Sequence, residues 1–159
     1  MIDTVNLSEI LFDGANEVFE TMIFMDLEKC PGQDRQIEGD SLLSSITFTG
    51  DAEGCFAFCG SNDCAKAIAV NMLGMDISEE ISDDDISDAL GEVANMVMGS
   101  IKARLLDKVA NINVSIPSVI RGQQLENCLG EGTEKILVMV NLQDEFTAEL
   151  SLLYREASK

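Results

Sequence analysis

The chain has 159 residues, 46% hydrophobic and 25% charged, a balance that predicts one folded domain over residues 1–159. Its 29 acidic and 10 basic residues give a net charge of −19, which disfavours nucleic acid and anionic membranes as partners. No stretch resembles a signal peptide or reaches the roughly 18 apolar residues of a membrane span, so a cytoplasmic location is expected.

Apolar periodicity and turn residues predict the elements of the first half of the chain. A first helix is predicted from residue 7 to about residue 25, with Asn6 as its cap. Residues 42–49 and 55–59 are rich in β-formers and flank a glycine-bearing turn, which predicts a hairpin. A short, largely apolar helix over 64–73 follows the hairpin.

The second half opens with an acidic stretch at 76–85, whose last carboxylates suit the positive end of a helix dipole. A third helix follows over 87–106, and period-two alternation predicts a strand at 109–116 that Pro117 ends. A polar loop and two long strands complete the chain, at 123–132, 135–141 and 146–154. Helices grouped beside hairpins predict a two-layer α+β fold with a largely antiparallel sheet.

The third helix carries an unusual polar ridge. Its apolar residues recur at steps of three and four, as in an amphipathic helix, and Asp88, Glu92 and Asn95 share a different face. Each of these residues alone is most simply a solvated surface residue. The first helix repeats part of the pattern with Asp13 and Glu17 but has Glu20 where the third helix has Asn95. The echo predicts two equivalent halves, whose long helices lie side by side on one face of the sheet.

The residues Asp88-x3-Glu92-x2-Asn95, followed by Pro117 after 21 intervening residues, resemble the signature of the CheC/CheX/FliY family of bacterial chemotaxis phosphatases. The resemblance extends over most of the chain and implies the CheC-like fold with its pseudo-twofold arrangement. Its CheC branch is expected to carry the Glu-x-x-Asn pair on both helices, and its CheX branch on one. Because Glu20 stands in the first helix, the chain resembles the CheX branch.

The resemblance implies an enzyme that hydrolyses the aspartyl phosphate of a CheY-like response regulator. Glu92 and Asn95 match the family's two functional positions, and Asp88 matches the start of the signature as a partner-binding residue. The resemblance also implies a homodimer with no cofactor or metal of its own, because the phosphorylated partner supplies Mg²⁺. An amide can position the attacking water without adding charge beside a phosphate, which assigns that step to Asn95. Glu92 is assigned to docking and to an electrostatic contact with the partner.

Two other functions stay open. A protein of the same fold could bind a response regulator or a flagellar switch component without hydrolysing anything. Cys55, Cys59 and Cys64 could instead form a redox or metal site, although the chain has no histidine to complete a mixed site. The five cysteines include no Cys-x-x-Cys pair and indicate a reducing compartment, where buried, inert thiols are the simpler interpretation.

Overall fold

A computed structural model of the chain describes residues 4–30, 37, 39–76, 80–105, 109, 111–123, 125, 130 and 132–156. Within these ranges lie three α-helices and seven β-strands. The helices are α1 (Thr4–Val18), α2 (Asn62–Leu73) and α3 (Asp83–Leu105). The strands are β1 (Leu27–Lys29), β2 (Ser41–Gly50), β3 (Ala52–Ser61), β4 (Ile112–Val114), β5 (Ser118–Gly122), β6 (Glu134–Leu142) and β7 (Phe146–Glu156).

The strands form one sheet in the order β1-β6-β7-β3-β2-β4, and β5 also pairs with β2. Each of these pairings is antiparallel. The two hairpins, β2–β3 and β6–β7, meet in the middle, where β3 pairs with β7 over eight residues of each strand. The structure confirms the predicted α+β fold with its antiparallel sheet, and it places the two predicted hairpins at the centre.

The strand order divides the chain into two corresponding halves. The first half contributes α1, the short strand β1 and the hairpin β2–β3. The second contributes α3, the short strands β4 and β5 and the hairpin β6–β7. Each short strand pairs with the hairpin of the other half, β1 with β6 and β4 and β5 with β2. This exchange around the central β3–β7 pair is a pseudo-twofold arrangement, with α2 inserted between the halves.

The helices cover one face of the sheet. Alternate residues of the central strands point towards them because successive side chains of a strand face opposite sides. This buried cluster joins all three helices to the sheet and includes Phe19, Phe56, Phe58, Leu90, Val97, Ile101, Leu150 and Leu152. On the other face, Leu43, Ala57 and Cys59 form a smaller buried cluster with Ile37 and Leu125 packed against it. The central strands are therefore buried on both faces.

The first helix differs from its prediction at both ends. It begins at Thr4, so Asn6 lies inside the first turn and the predicted cap there is wrong. The α-helix ends at Val18 and continues as a π-helical segment, Phe19–Ile23. Phe24 adopts a left-handed conformation with φ 62°, and its N–H donates to the carbonyl oxygen of Phe19, which closes the helix.

Sequence analysis did not predict two short strands, β1 and β5, and it predicted β4 too long. The predicted strand 109–116 is reduced to β4, and β5 begins immediately after Pro117 on the same neighbour, β2. Both β1 and β5 are short edge strands with mostly exposed residues, so they lack a clear alternating pattern. The predicted loop 123–132 falls largely outside the described residues.

Candidate functional site

The sequence at the start of α3 stabilises the helix that carries the polar ridge. The Ser82 side chain accepts a hydrogen bond from the Asp85 N–H at 3.1 Å, as an N-cap does. Acidic residues occupy the first turn and basic residues the last, which complements the helix dipole at both ends. The opposite side of α3 is buried from Ile86 to Leu105. The ridge is therefore fixed on a long, packed helix.

Asp88, Glu92 and Asn95 lie on the exposed side of α3, as predicted. Within the described part of the chain, none of these three side chains makes a hydrogen bond or an ion pair. Two carboxylates and an amide thus face solvent from adjacent helical turns. Their polar atoms are available to a ligand or to another protein.

An open depression of about 320 Å³ lies beside the ridge. Its lining consists of Ser87, Asp88, Gly91, Glu92, Pro117 and Val119. The structure therefore brings Asp88, Glu92 and Pro117 together, whereas Asn95 lies on the next turn, outside the lining. The Pro117 ring passes 3.5 Å from the position that a Cβ on Gly91 would occupy. Pro117 thus packs against the ridge helix as well as separating β4 from β5.

Arg121 links β5 to the beginning of α3 through hydrogen bonds. Its guanidinium donates to the Asp83 carbonyl oxygen at 2.8 Å and to the Ser87 Oγ at 3.2 Å. The neighbouring strand adds a buried contact, because the Ser44 Oγ donates to the carbonyl oxygen of Leu90. Sequence analysis missed Arg121 and Ser44, since nothing in their local pattern indicates which helix they contact.

Ile116 is another feature that the sequence did not reveal. It precedes Pro117 in the connection between β4 and β5, and it is 87% exposed. Its chain neighbour Pro117 lines the depression, whereas Ile116 itself is not part of the lining. A large apolar side chain is therefore exposed one residue away in sequence from the depression.

The corresponding ridge on the first helix differs in its hydrogen bonding. The Glu17 carboxylate accepts from the Arg104 guanidinium at 2.6 Å and from the Ser100 Oγ at 2.9 Å, both on α3. The bond from Arg104, and next that from Ser100, holds the pKa of the Glu17 carboxyl below its usual range. Glu20 lies in the π-helical segment rather than in regular α-helix. The two ridges are therefore unequal in their bonding and in their backbone geometry.

The cysteines of the central strands and α2 are buried. Cys55, Cys59 and Cys64 are reduced and inaccessible, and Cys30 is partly exposed. Burial, with a smaller effect from Cys59, raises the pKa of the Cys64 thiol to about 12. Among the described residues, no three Cys, His, Asp or Glu side chains are grouped closely enough to hold a metal ion. These surroundings disfavour the interpretation as a redox or metal protein.

The chain is similar to known proteins in both sequence and fold. Over 113 residues, 70% of this chain and 72% of the relative, the chain is 26% identical to the CheY-P phosphatase CheX of Thermotoga maritima. The structure of the chemotaxis protein CheX of Vibrio vulnificus superimposes with a TM-score of 0.78 at 20% identity, covering 98% of this chain and all of that one.

A second similar structure is the CheX–CheY–BeF3–Mg²⁺ complex of Borrelia burgdorferi, with a TM-score of 0.73 and 22% identity over 98% of this chain and all of the matched chain. None of the helices in the described part of this chain has the length and apolarity needed to cross a membrane. The family model described as chemotaxis phosphatase CheX matches residues 42–141, more than half of the chain and all of α3 with its ridge. The chain belongs to the CheX family of chemotaxis phosphatases.

Proposed function

We propose that this protein hydrolyses the aspartyl phosphate of a CheY-like response regulator and that Asn95 positions the attacking water. The main support for this proposal is that the two ridges differ in exposure and in bonding. Asp88, Glu92 and Asn95 on α3 are exposed and, within the described residues, without side-chain partners, whereas Glu17 on α1 is bound by Arg104. A related protein is named a CheY-P phosphatase, which supports the same activity here.

The chemistry requires little from the phosphatase beyond placement. An aspartyl phosphate is an activated acyl phosphate, so a water in line with the leaving carboxylate oxygen is a sufficient nucleophile. The Asn95 carbonyl oxygen accepts a hydrogen bond from that water, and its NH2 group donates to the water or to a phosphoryl oxygen. Water attacks phosphorus as the P–O bond to the aspartate breaks, giving inorganic phosphate and a free carboxylate. Because the amide is neutral, it adds no repulsion beside the phosphate.

Glu92 has a separate task in this proposal. It lies one turn before Asn95 at the edge of the depression, where a basic side chain of the partner can reach it. A charge-assisted hydrogen bond there would fix how the partner sits on α3. Asp88 lines the same depression and adds negative charge to the docking surface. The electrostatic stabilisation of the phosphoryl group then comes from the partner.

Mg²⁺ is supplied with the regulator, in keeping with the Borrelia complex, which contains CheY, BeF3 and Mg²⁺. The protein forms a homodimer through its strands, and the outer edge of β6 extends beyond its three-residue pairing with β1. Its location is cytoplasmic, which suits reduced cysteines and an intracellular regulator.

A second function has its own support. The exposed Ile116, next in sequence to Pro117 of the depression, would suit a module that binds a regulator without hydrolysis. The exposed amide on the ridge favours the phosphatase, because binding alone does not require a group that orients water.

Phosphate release decides between the two functions. CheY is phosphorylated with a small acyl phosphate donor in the presence of Mg²⁺, and phosphate is measured with and without this protein. We expect faster release with the unaltered chain, and a loss of about 100-fold in kcat for Asn95→Ala, in line with removal of a positioned catalytic group. Asn71→Ala is the matched control, since Asn71 is an exposed asparagine on α2.

Binding of phosphorylated CheY without faster release would replace the phosphatase by the binding module. Near-normal turnover of Asn95→Ala would instead refute the assigned role of the amide. A similar loss in Asn71→Ala would contradict it too, because that residue lies on a different helix.

A further inference from the structure

Three glycines lie inside the α-helices of the described chain, and two of them have a packing reason. A Cβ on Gly14 of α1 would lie 3.1 Å from the Ile101 side chain, so this glycine lets α1 approach α3 closely. Gly91 of α3 is covered by Pro117. Gly99 of α3 differs from both, because a Cβ there would meet no atom of the described residues within 4 Å beyond the backbone of its own helix.

Gly99 is exposed and lies well inside a helix of 23 residues. Glycine destabilises such a position relative to alanine, because it loses more backbone freedom on folding. Within the described residues, no contact, turn or unusual backbone angle requires a glycine here. Packing in this part of the chain therefore does not supply an explanation for the missing side chain.

The position of Gly99 supplies that explanation. Gly99 follows Asn95 by four residues and Glu92 by seven, so it lies on the same ridge, one turn beyond the amide. Side chains of a helix lean towards its N-terminus and cover the preceding turn. Any side chain at residue 99 would therefore lean over Asn95.

We propose that Gly99 keeps the approach to Asn95 open, so that the phosphate-bearing rim of the response regulator can rest against bare helix backbone. This inference depends on the proposed function, and it adds a residue that determines access without touching the reacting atoms. The docking surface then has two parts. The carboxylates of Asp88 and Glu92 lie on the turns before Asn95, and on the turn after it the ridge has no side chain, because residue 99 is glycine. A side chain at residue 99 would hold the partner away from the amide in proportion to its size.

The test measures binding and turnover in one series, Gly99→Ala and Gly99→Leu. The probe for binding is CheY activated with beryllofluoride and Mg²⁺, and turnover is measured with phosphorylated CheY. We expect Gly99→Leu to weaken the Kd by about tenfold or more while kcat at saturation stays near normal. Gly99→Ala should raise the Tm by roughly 2 °C and weaken binding much less. Asn71→Leu on α2 is the control for an added apolar side chain.

An unchanged Kd for Gly99→Leu, or a loss matched by Asn71→Leu, would overturn the proposal. So would a loss confined to kcat, because access controls binding rather than the chemical step. Gly99→Ala reports whether helix stability and binding move in opposite directions, which a purely structural glycine would not produce. The outcome is separate from the role of the amide, since Asn95→Ala tests turnover and the Gly99 series tests binding.

Discussion

The Arg104 guanidinium on α3 lies 2.6 Å from the Glu17 carboxylate on α1. Ser100 donates to the same carboxylate oxygen. The first-helix counterpart of Glu92 is therefore held by two side chains of the helix that carries the exposed ridge. This contact makes the two halves of the chain unequal in charge and in accessibility, although their strands are arranged alike.

Glu20→Asn combined with Asn95→Ala should remain as inactive as Asn95→Ala alone. Residue 20 lies in a π-helical segment, so an amide there does not repeat the geometry of residue 95 in α-helix. The nearby Glu17 is also occupied by Arg104. Phosphate release from phosphorylated CheY measures the outcome. Recovery of a tenth or more of normal turnover would mean that one amide is the whole difference between the ridges.

Reversing the charge of Glu92 should weaken docking. For Glu92→Lys we expect kcat/KM to fall by about tenfold or more, because a basic group of the regulator would meet a like charge. Glu9→Lys, on the exposed side of α1, makes the same change in net charge and should have little effect. Measurements over a range of NaCl concentrations should show a weaker salt dependence for Glu92→Lys. Equal behaviour of the two variants would contradict a local role for Glu92.

Removing the exposed apolar side chain that precedes Pro117 should also weaken docking. Ile116→Ser is expected to raise the Kd for beryllofluoride-activated CheY by roughly three- to tenfold, since buried apolar anchors contribute strongly at interfaces. The fold should be unaffected, because Ile116 is 87% exposed. Leu73→Ser, at an exposed leucine on α2, is the control. An unaltered Kd would place the interface away from the connection between β4 and β5.

The ion pair of Glu17 should give a pH-dependent part of the stability. Its pKa is lowered in the folded protein, so folding favours the charged form. The contribution is complete well above the ordinary glutamate pKa of 4.5 and is lost as the pH falls through the lower folded value. Urea unfolding midpoints of the unaltered chain and Glu17→Gln should therefore differ at pH 7 and differ less at pH 3. A constant difference at both pH values would exclude this ionisation as its cause.

The buried cysteines should resist labelling in the folded protein. With N-ethylmaleimide at pH 7, we expect Cys30 to react and Cys55, Cys59 and Cys64 to stay unmodified, because they are buried. The pKa of the Cys64 thiol is raised to about 12, so this thiol stays protonated at pH 7, and the protonated form does not react. All four should react in concentrated urea, as peptide mass spectrometry can show. Rapid labelling of folded Cys64 would restore the cysteine-based interpretation.

Sequence patterns identified the long elements and the exposed ridge because these depend on local periodicity. The hairpin strands and α3 contain many residues in a regular pattern, and the side of α3 that carries Glu92 and Asn95 follows from helical spacing alone. The π-helical segment could not be predicted, since it depends on how Phe24 ends the first helix against its surroundings. Met22, an apolar residue of this segment, is 53% exposed.

The other features that were not predicted from the sequence depend on contacts between residues far apart in the chain. Pro117 was interpreted as the end of a strand, but it also packs on Gly91 of α3. Arg121 and Ser44 support the ridge helix from two strands, across separations that no local pattern encodes. The pairing of Glu17 with Arg104 links residues 87 positions apart, and it was missed for the same reason.

The exchange of short strands between the halves has a consequence for the order of folding. The outer edge of the first hairpin is completed by β4 and β5, and the first short strand pairs only with β6. The central pair joins Ala52 to Glu156, which lie far apart in the sequence. Neither half has a complete sheet of its own, so the first hairpin keeps unpaired edges until the last strands are synthesised. A protein made from one half alone would gain the missing strands only by pairing with a second copy of itself.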